Sequence, residues 1–291
     1  GLEWHPNRHV IVHYNYSEGS KAGSGENAAG STTIVDPETI KNHEVGVKAT
    51  VLPGISANLA LYRYDLKGAQ LNKTIAGGPT GYITIFENAA ETKAKGFEFE
   101  VFGRLSPDFR VSSSVSYTDA HYNNFVTLDP IDPRNVMTPG SPAYNPVTNP
   151  DLTAFGAPCA GDLDPATPTC EIQLEGNRIR NTPKWAFNVH AEYDIAAPGG
   201  GEVTLQGDVT HKSRTFFTEF QREIESSAPY TFVDVGAIYR TADDRLSFQL
   251  WAKNLFDVDR KSSTFALATG RLLGATWLPP RTYGATVGYK F

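Results

Sequence analysis

The feature that most constrains the fold of this chain is a series of long segments in which apolar and polar residues alternate one by one. In the last segment, Tyr283, Val287 and Phe291 fall on one face, while Thr282 and Thr286 fall on the other. Successive side chains of a β-strand point to opposite faces, so a period of two indicates strands with one apolar and one polar face. The pattern predicts an all-β chain.

Short and long connections alternate between these segments. A strand, a tight turn, a second strand and a long loop form the hairpin order of membrane-spanning β-barrels, whose periplasmic turns are short and whose extracellular loops are long. The short connections are residues 52–54, 106–108, 198–200 and 242–244, and the long ones are 19–37, 74–82, 126–176, 222–229 and 266–278.

The length of the segments separates a membrane barrel from a soluble β-sandwich, which alternates as well. Strands of globular proteins have typically about 5–6 residues, whereas a strand needs about 9–11 residues to cross a bilayer. Residues 177–196 and 201–220 each read as one continuous strand. Such strands overshoot a bilayer, so we expect the wall to project beyond the lipid at these two strands.

We therefore predict an antiparallel transmembrane β-barrel wall with short periplasmic turns and long extracellular loops. Ten strands and a remnant amount to about half of a 22-stranded barrel, a size associated with a plugged lumen. The remnant is 1–4, followed by a turn at 5–7, and the strands are 10–17, 38–52, 55–73, 83–105, 109–125, 177–196, 201–220, 230–241, 245–265 and 281–291.

Composition excludes other classes. The mean hydropathy of the 291 residues is -0.33, and the absence of any run of about 18 apolar residues excludes a transmembrane helix but not a barrel. The net charge of -6 comes without a basic stripe, which argues against a nucleic-acid partner. Sixteen Phe, thirteen Tyr and four Trp beside a single Met suit strands and interfacial belts.

The chain begins at Gly1, has its only methionine at Met137 and shows no signal peptide. An exported protein needs such a signal. We therefore expect the N-terminus of the protein to lie upstream of Gly1.

Five segments, in order and spacing, resemble the barrel of TonB-dependent receptors of bacterial outer membranes, and together they extend over nearly the whole chain. They are DPETIKNHEVGVK at 36–48, NAAETKAKGFEFE at 88–100, NTPKW at 181–185, WAKNLFD at 251–257 and PRTYGATVGYKF at 280–291.

The resemblance implies that residues 1–291 are the C-terminal part of such a barrel, in the outer membrane of a Gram-negative bacterium. It also implies energy-coupled uptake of a ferric siderophore or another iron complex, with vitamin B12 or plant carbohydrates as other substrates, and neither an enzymatic activity nor a cofactor. The family's plug domain and TonB-binding box cannot be placed in this sequence. We expect TonB to act through this missing N-terminal region. The terminal strand resembles the signal read by the barrel-assembly machinery, with Tyr283, Tyr289 and Phe291 at the matching positions.

The longest connection, 126–176, contains the two cysteines, Cys159 and Cys170, among many Pro, Asp and Asn residues. Cysteines this close in a loop pair readily in an oxidising compartment, so we expect a disulfide, with two unrelated thiols as the alternative. Loops of this length are usually functional or disordered. We expect this one to contribute to ligand capture, or else to form a protective surface flap.

Other patterns carry less chemistry. His5, His9 and His13 recur every fourth residue, but in a turn and strand they spread apart, so we predict no metal site. The glycine-rich residues 19–30 lack the following helix of a phosphate loop. Glu98 and Glu100 share a polar face and fit a hydrated lumen wall better than a catalytic pair. No catalytic motif or compact Ser/His/Asp cluster is present.

Two other functions stay open at this point. One is a passive pore or an outer-membrane enzyme, which an upstream sequence without a plug would favour. The other is a soluble β-sandwich that binds a ligand. For the chain as it stands, we expect that residues 1–291 alone can neither close an ordinary barrel nor transport.

Overall fold

A computed structural model describes residues 1–28, 31–76, 82–129, 171–267 and 272–291. These residues form mainly β-strands, together with two single-turn 3₁₀ helices at Pro198–Gly200 and Glu223–Glu225. No helix in the described ranges is long and apolar enough to cross a membrane. The strands are β1 (Leu2–Asn7), β2 (Val10–Lys21), β3 (Ser24–Ala28), β4 (Ser31–Val35), β5 (Glu38–Leu52), β6 (Ile55–Ala76), β7 (Tyr82–Ser106), β8 (Phe109–Leu128), β9 (Glu171–Gln173), β10 (Trp185–Ala196), β11 (Glu202–Lys212), β12 (Thr215–Phe216), β13 (Ser226–Ser227), β14 (Tyr230–Arg240), β15 (Leu246–Lys253), β16 (Lys261–Leu267), β17 (Leu272–Trp277) and β18 (Thr282–Tyr289).

One antiparallel sheet contains most of these strands. Its order is β1-β2-β5-β6-β7-β8-β10-β11-β14-β15-β18, with β9 attached to the end of β8. The eleven strands on this path, counted over the described residues, match the ten predicted strands and the remnant. The pairs β3-β4, β12-β13 and β16-β17 are small hairpins inside the long connections. The predicted meander of neighbouring antiparallel strands is confirmed.

Short and long connections lie at opposite ends of this sheet, as predicted. The turn after β5 shows why the short ones stay short. Pro53 and Gly54 join the paired residues Leu52 and Ile55, and Gly54 has φ 80°. Proline at the first central position and a left-handed glycine at the second are typical of a type II turn.

The turn predicted at 5–7 was wrong. His5, Pro6 and Asn7 belong to β1, and the chain turns at Arg8 and His9. The Asn7 Oδ1 atom accepts a hydrogen bond from the His9 backbone N–H at 2.8 Å, which closes the turn two residues later than expected. Pro6 is tolerated because β1 is an edge strand of the described sheet.

The prediction that residues 177–196 and 201–220 each form one continuous strand was also wrong. β10 begins only at Trp185 and β11 ends at Lys212. In residues 177–184, which precede β10, Asn181 adopts φ 60° and Pro183 follows. This stretch therefore contacts β8 through separate hydrogen bonds, such as the one from Ile179 N–H to Ala120 O at 3.1 Å. The wall instead extends along β6, β7 and β8, which have 22, 25 and 20 residues.

Other bounds also differ. The predicted strand 245–265 breaks where Asn254 takes a left-handed φ of 50°, between β15 and β16. Parts of the expected loops 19–37 and 266–278 form the hairpins β3-β4 and β16-β17.

The apolar face of the sheet is uncovered. Leu250 and Val287, both on this face, are each 66% exposed, and Val189 is half-buried among its strand neighbours. A sandwich would bury these three side chains between stacked sheets. The described wall strands therefore form a single layer whose apolar face requires a non-aqueous surrounding.

The buried core of the described residues lies at the long-loop end instead. Tyr122 and Phe125 of β8 pack there with Leu174 and with the small residues Ala69 and Ala90. Further apolar side chains surround this cluster, namely Leu66, Leu71, Ala89, Ile172 and Phe220.

Candidate functional site on the polar face and at the long-loop end

The polar face carries a connected ionic network near the short-turn end. The Arg110 guanidinium donates to Glu192 Oε2 at 2.9 Å and to Asp194 Oδ1 at 3.0 Å. Thr204 Oγ1 donates to the same Asp194 oxygen at 2.9 Å and accepts from Arg240 at 3.2 Å. The network joins β8, β10, β11 and β14, so it locks the register of four neighbouring strands.

His190 extends this network towards the centre of the wall. Its Nδ1 atom lies 2.8 Å from Asp208 Oδ1, and its Nε2 atom lies 3.4 Å from Glu192 Oε1. Ionised groups in hydrocarbon are costly, whereas water or a polar protein surface can complete their hydrogen bonds. This face must therefore lie against water or protein.

Glu98 and Glu100 lie on the same polar face, where the alternation placed them. They pair with Ser116 and Ser114 across β7 and β8, and Asn58 Nδ2 donates to Glu100 Oε2 at 3.3 Å. Both carboxylates are exposed and line an open polar groove that Glu44 and Lys48 also line.

At the long-loop end, a buried ion cluster fastens residues 217–225. Glu225 is only 2% exposed and accepts hydrogen bonds from Arg222 Nη1 at 2.8 Å and from Thr218 Oγ1 at 3.1 Å. Arg222 also pairs with Asp129, which follows β8. The guanidinium of Arg222 stacks over the Phe220 ring at 4.8 Å.

Glu219 belongs to the same segment and lies outside the wall strands. Burial raises the pKa of its carboxyl above the ordinary value of 4.5, and the negative charge of Glu225 raises it further. A backbone hydrogen bond of Glu219 and the charge of Arg180 act in the opposite direction. The segment therefore contains a carboxyl group that takes up protons more readily than an exposed one.

Phe220 packs against the core formed by Tyr122 and Phe125, whose ring centroids are 5.0 Å apart. The connection between β11 and β14 thus packs against β6 to β8 at the long-loop end of the sheet. It offers a structured surface to whatever approaches this end of the sheet.

The residues singled out for barrel assembly lie on or beyond the last wall strand. Tyr283 is 81% exposed, and the rings of Tyr289 and Phe291 meet edge-on with centroids 5.2 Å apart. β18 has β15 as its one neighbour among the described strands. Their role as an assembly signal stays a prediction.

The three histidines do not converge. His5 lies 3.7 Å from Glu3, His13 lies 3.2 Å from Glu44, and His9 accepts from Arg8. Across the described ranges no group of three or more His, Cys, Asp or Glu side chains could hold a metal ion. Cys159 and Cys170, with most of the loop 126–176, lie outside the described residues.

Two aromatic groups bound the apolar face of β8 and β10. Tyr117 and Trp185 have ring centroids 4.8 Å apart near the long-loop end, and Phe109 and Tyr193 have centroids 6.3 Å apart near the short turns. Eight residues separate the two groups along each strand, which is roughly 20 Å of height for a strand tilted by about 40°. Aromatic girdles around an apolar band of comparable height are typical of membrane β-barrels.

Comparison with known proteins agrees with this geometry. A sequence model of the family described as "TonB dependent receptor-like, beta-barrel" matches residues 1–255 of the 291. The chain belongs to this family. Its polar face is therefore the inner face of a barrel wall, and its apolar face is the outer one.

Individual receptors are similar to the chain over part of their own length. The probable TonB-dependent siderophore receptor PiuA of Acinetobacter baumannii is 22% identical over 226 residues, which are 72% of this chain and 25% of that protein. The crystal structure of the ferric yersiniabactin uptake receptor FyuA from Yersinia pestis has a TM-score of 0.72 and 15% identity, with coverage of 99% of this chain and 36% of that one. The crystal structure of PiuA has a TM-score of 0.65 and 18% identity, with coverage of 99% and 35%. The chain thus spans about a quarter of the curated relative and about a third of the two solved receptors.

Sequence reasoning missed two parts of the site. The pairing of Arg110 with Glu192 and Asp194 could have been found from the alternation, because the three residues face the same side once β8 and β10 are taken as neighbours. The partnership of Arg222 with Glu225 and Asp129 had no comparable signal, since it depends on how a loop folds back onto the wall.

Proposed function

We propose that the chain is the C-terminal part of the barrel wall of an outer-membrane receptor that takes up a nutrient by TonB-dependent transport. The substrate we propose is a ferric siderophore or another iron complex. The proposal rests mainly on one observation. The chain belongs to this receptor family and has two aromatic girdles on its outer face and a charged hydrogen-bond network on its inner face. The relatives support the substrate class, because they are described as receptors for siderophores or ferric yersiniabactin.

The inner network suits a polar protein domain better than a free pore. Arg110, Glu192, Asp194 and His190 already satisfy one another across β8 and β10. A rigid, pre-paired wall of this kind gives a plug domain a fixed polar surface to dock on. We propose that this is the role of the network and that the plug belongs to the N-terminal region through which TonB acts.

Ligand capture is proposed for the long-loop end, which lies outside the cell when the short turns face the periplasm. The fastened segment 217–225 supplies an ordered part of this surface. We propose that the loop 126–176, with a disulfide between Cys159 and Cys170, adds to it. Tyr283, Tyr289 and Phe291 are proposed to be read by the barrel-assembly machinery. In such a receptor, the carboxylates on the inner face have a structural rather than an enzymatic role.

Uptake of radiolabelled iron by a strain deleted for the full-length gene tests this function. The deletion is expected to abolish uptake of one ferric siderophore, and the gene in trans is expected to restore it. Restored uptake that persists without TonB would contradict energy coupling and favour the passive pore. Gel mobility that does not change on heating in mild SDS would contradict the barrel and favour the soluble sandwich.

A further inference from the structure

The outer face of β6 to β8 changes from apolar to charged side chains near its long-loop end. Leu61, Phe97 and Tyr117 stand in register across these strands, and Trp185 lies beside Tyr117. Aromatic residues in such a row sit at the level of the lipid headgroups. Side chains beyond this row, towards the long loops, therefore meet the headgroup layer.

A cluster of cations occupies this level of the outer face. Two positions beyond the aromatic row, Arg63, Lys95 and Asp119 stand in register, and the next row on the same face holds Asp65, Lys93 and His121. The parity of the alternation places all six on the outer face with Phe97 rather than on the inner face. We call Arg63, Lys93 and Lys95 the outer basic cluster.

The local carboxylates pair with only one of the three cations in this cluster. Asp119 contacts Lys184 at 3.3 Å and His121 at 3.5 Å, and Asp65 lies 3.8 Å from Arg63. Lys93 and Lys95 have no ion-pair partner among the described side chains. Arg63 is directly opposite Lys95, and like charges in such positions repel. An anion from outside would remove this repulsion.

A groove of suitable size lies at the cluster. It has a volume of about 410 Å³ and is lined by all three cations, by Tyr122, and by the carboxylates of Asp119 and Glu175. This volume falls within the range of small-ligand sites, about 300–1,000 Å³. The groove can take a phosphorylated sugar while the apolar surface of Phe97 and Leu61 continues below it.

We propose that the outer basic cluster binds the phosphate group of a glycolipid in the outer leaflet. A water-soluble anion has no reason to be recognised on the lipid-facing side, just above an aromatic girdle. A headgroup phosphate reaches Arg63, Lys93 and Lys95 when its acyl chains lie against the apolar face of β6 to β8. The inference rests on the membrane orientation in the proposed function but not on transport.

The test uses the full-length gene product in detergent, titrated with lipid A that carries its phosphates. The variant R63Q/K93Q/K95Q removes the cluster. The variant K48Q/R104Q/K212Q is the matched control, because it removes the same charge from the inner face. Each cation near an anionic headgroup contributes about fivefold in affinity, so the cluster variant is expected to bind about 100-fold more weakly while the control binds like the wild type.

Three outcomes would overturn the proposal. They are equal binding by the cluster variant and the wild type, equal binding of dephosphorylated lipid A, and displacement by inorganic phosphate at matching concentration, which would indicate a free-anion site. Heat-dependent gel mobility checks that each variant is folded. Should the triple variant not fold, K93Q and K95Q singly are each expected to lose about fivefold. Iron uptake by the cluster variant is expected to be unchanged, so failure of lipid binding stays distinguishable from failure of the transport function.

Discussion

Replacing Arg222 by alanine is expected to release the segment 217–225 from the mouth of the barrel. The change removes the cation between Glu225, which is 2% exposed, and Asp129, and it removes the stacking on Phe220. Breaking a buried ion pair from one side costs about 3–5 kcal/mol, because the remaining charge stays buried without its partner. At the lower figure, the local opening equilibrium increases by about 100-fold.

Hydrogen exchange on the purified receptor measures this opening. The reporters are the amides of Phe217 and Glu225, which donate to Glu225 O at 2.9 Å and to Arg222 O at 3.1 Å. Glu223 gives the control, because its carboxylate is highly exposed and pairs with Arg214 at 3.3 Å on the surface. Such a pair contributes about 0–1 kcal/mol, so E223Q is expected to change protection less than tenfold. Equal loss of protection in R222A and E223Q would refute the reasoning.

Three further predictions concern other parts of the wall. Because the pKa of Glu219 is raised in the folded state, its carboxyl group binds the proton more tightly there than in the open segment. Protection of residues 217–225 should therefore be greatest below pH 4.5 and fall as the pH rises above it. E219Q should abolish this dependence after correction for intrinsic exchange, and a dependence that persists would assign it to another group. L250K on the outer face should destabilise the receptor in lipid by up to about 2–4 kcal/mol by urea titration, whereas Q249K on the inner face should cost much less; equal costs would reverse the assignment of faces. Residues 1–291 alone should give no steady channel conductance in planar bilayers, and robust conductance would show that this part closes by itself.

The alternation of residue types determined the wall without help from tertiary structure. β5 runs from Glu38 to Leu52, as the sequence predicts, because its side chains alternate cleanly and Pro53 and Gly54 stop the strand. The outward direction of Leu250 and Val287 follows from the same period, since a one-residue shift would reverse every side chain. These properties depend on near neighbours in the chain, and such neighbours are visible in the sequence.

The long-loop end was decided by contacts between distant residues. Residues 177–184 alternate well enough to suggest a strand, yet Asn181 with φ 60° and the contacts to Ala120 and Tyr122 hold them in an irregular path. Glu225 is buried beside Arg222, which pairs with Asp129, and Phe220 packs against Tyr122 and Phe125 of a distant strand. Strand periodicity is a local property of the backbone, whereas the fold of a loop depends on a surface that exists only after the wall has formed.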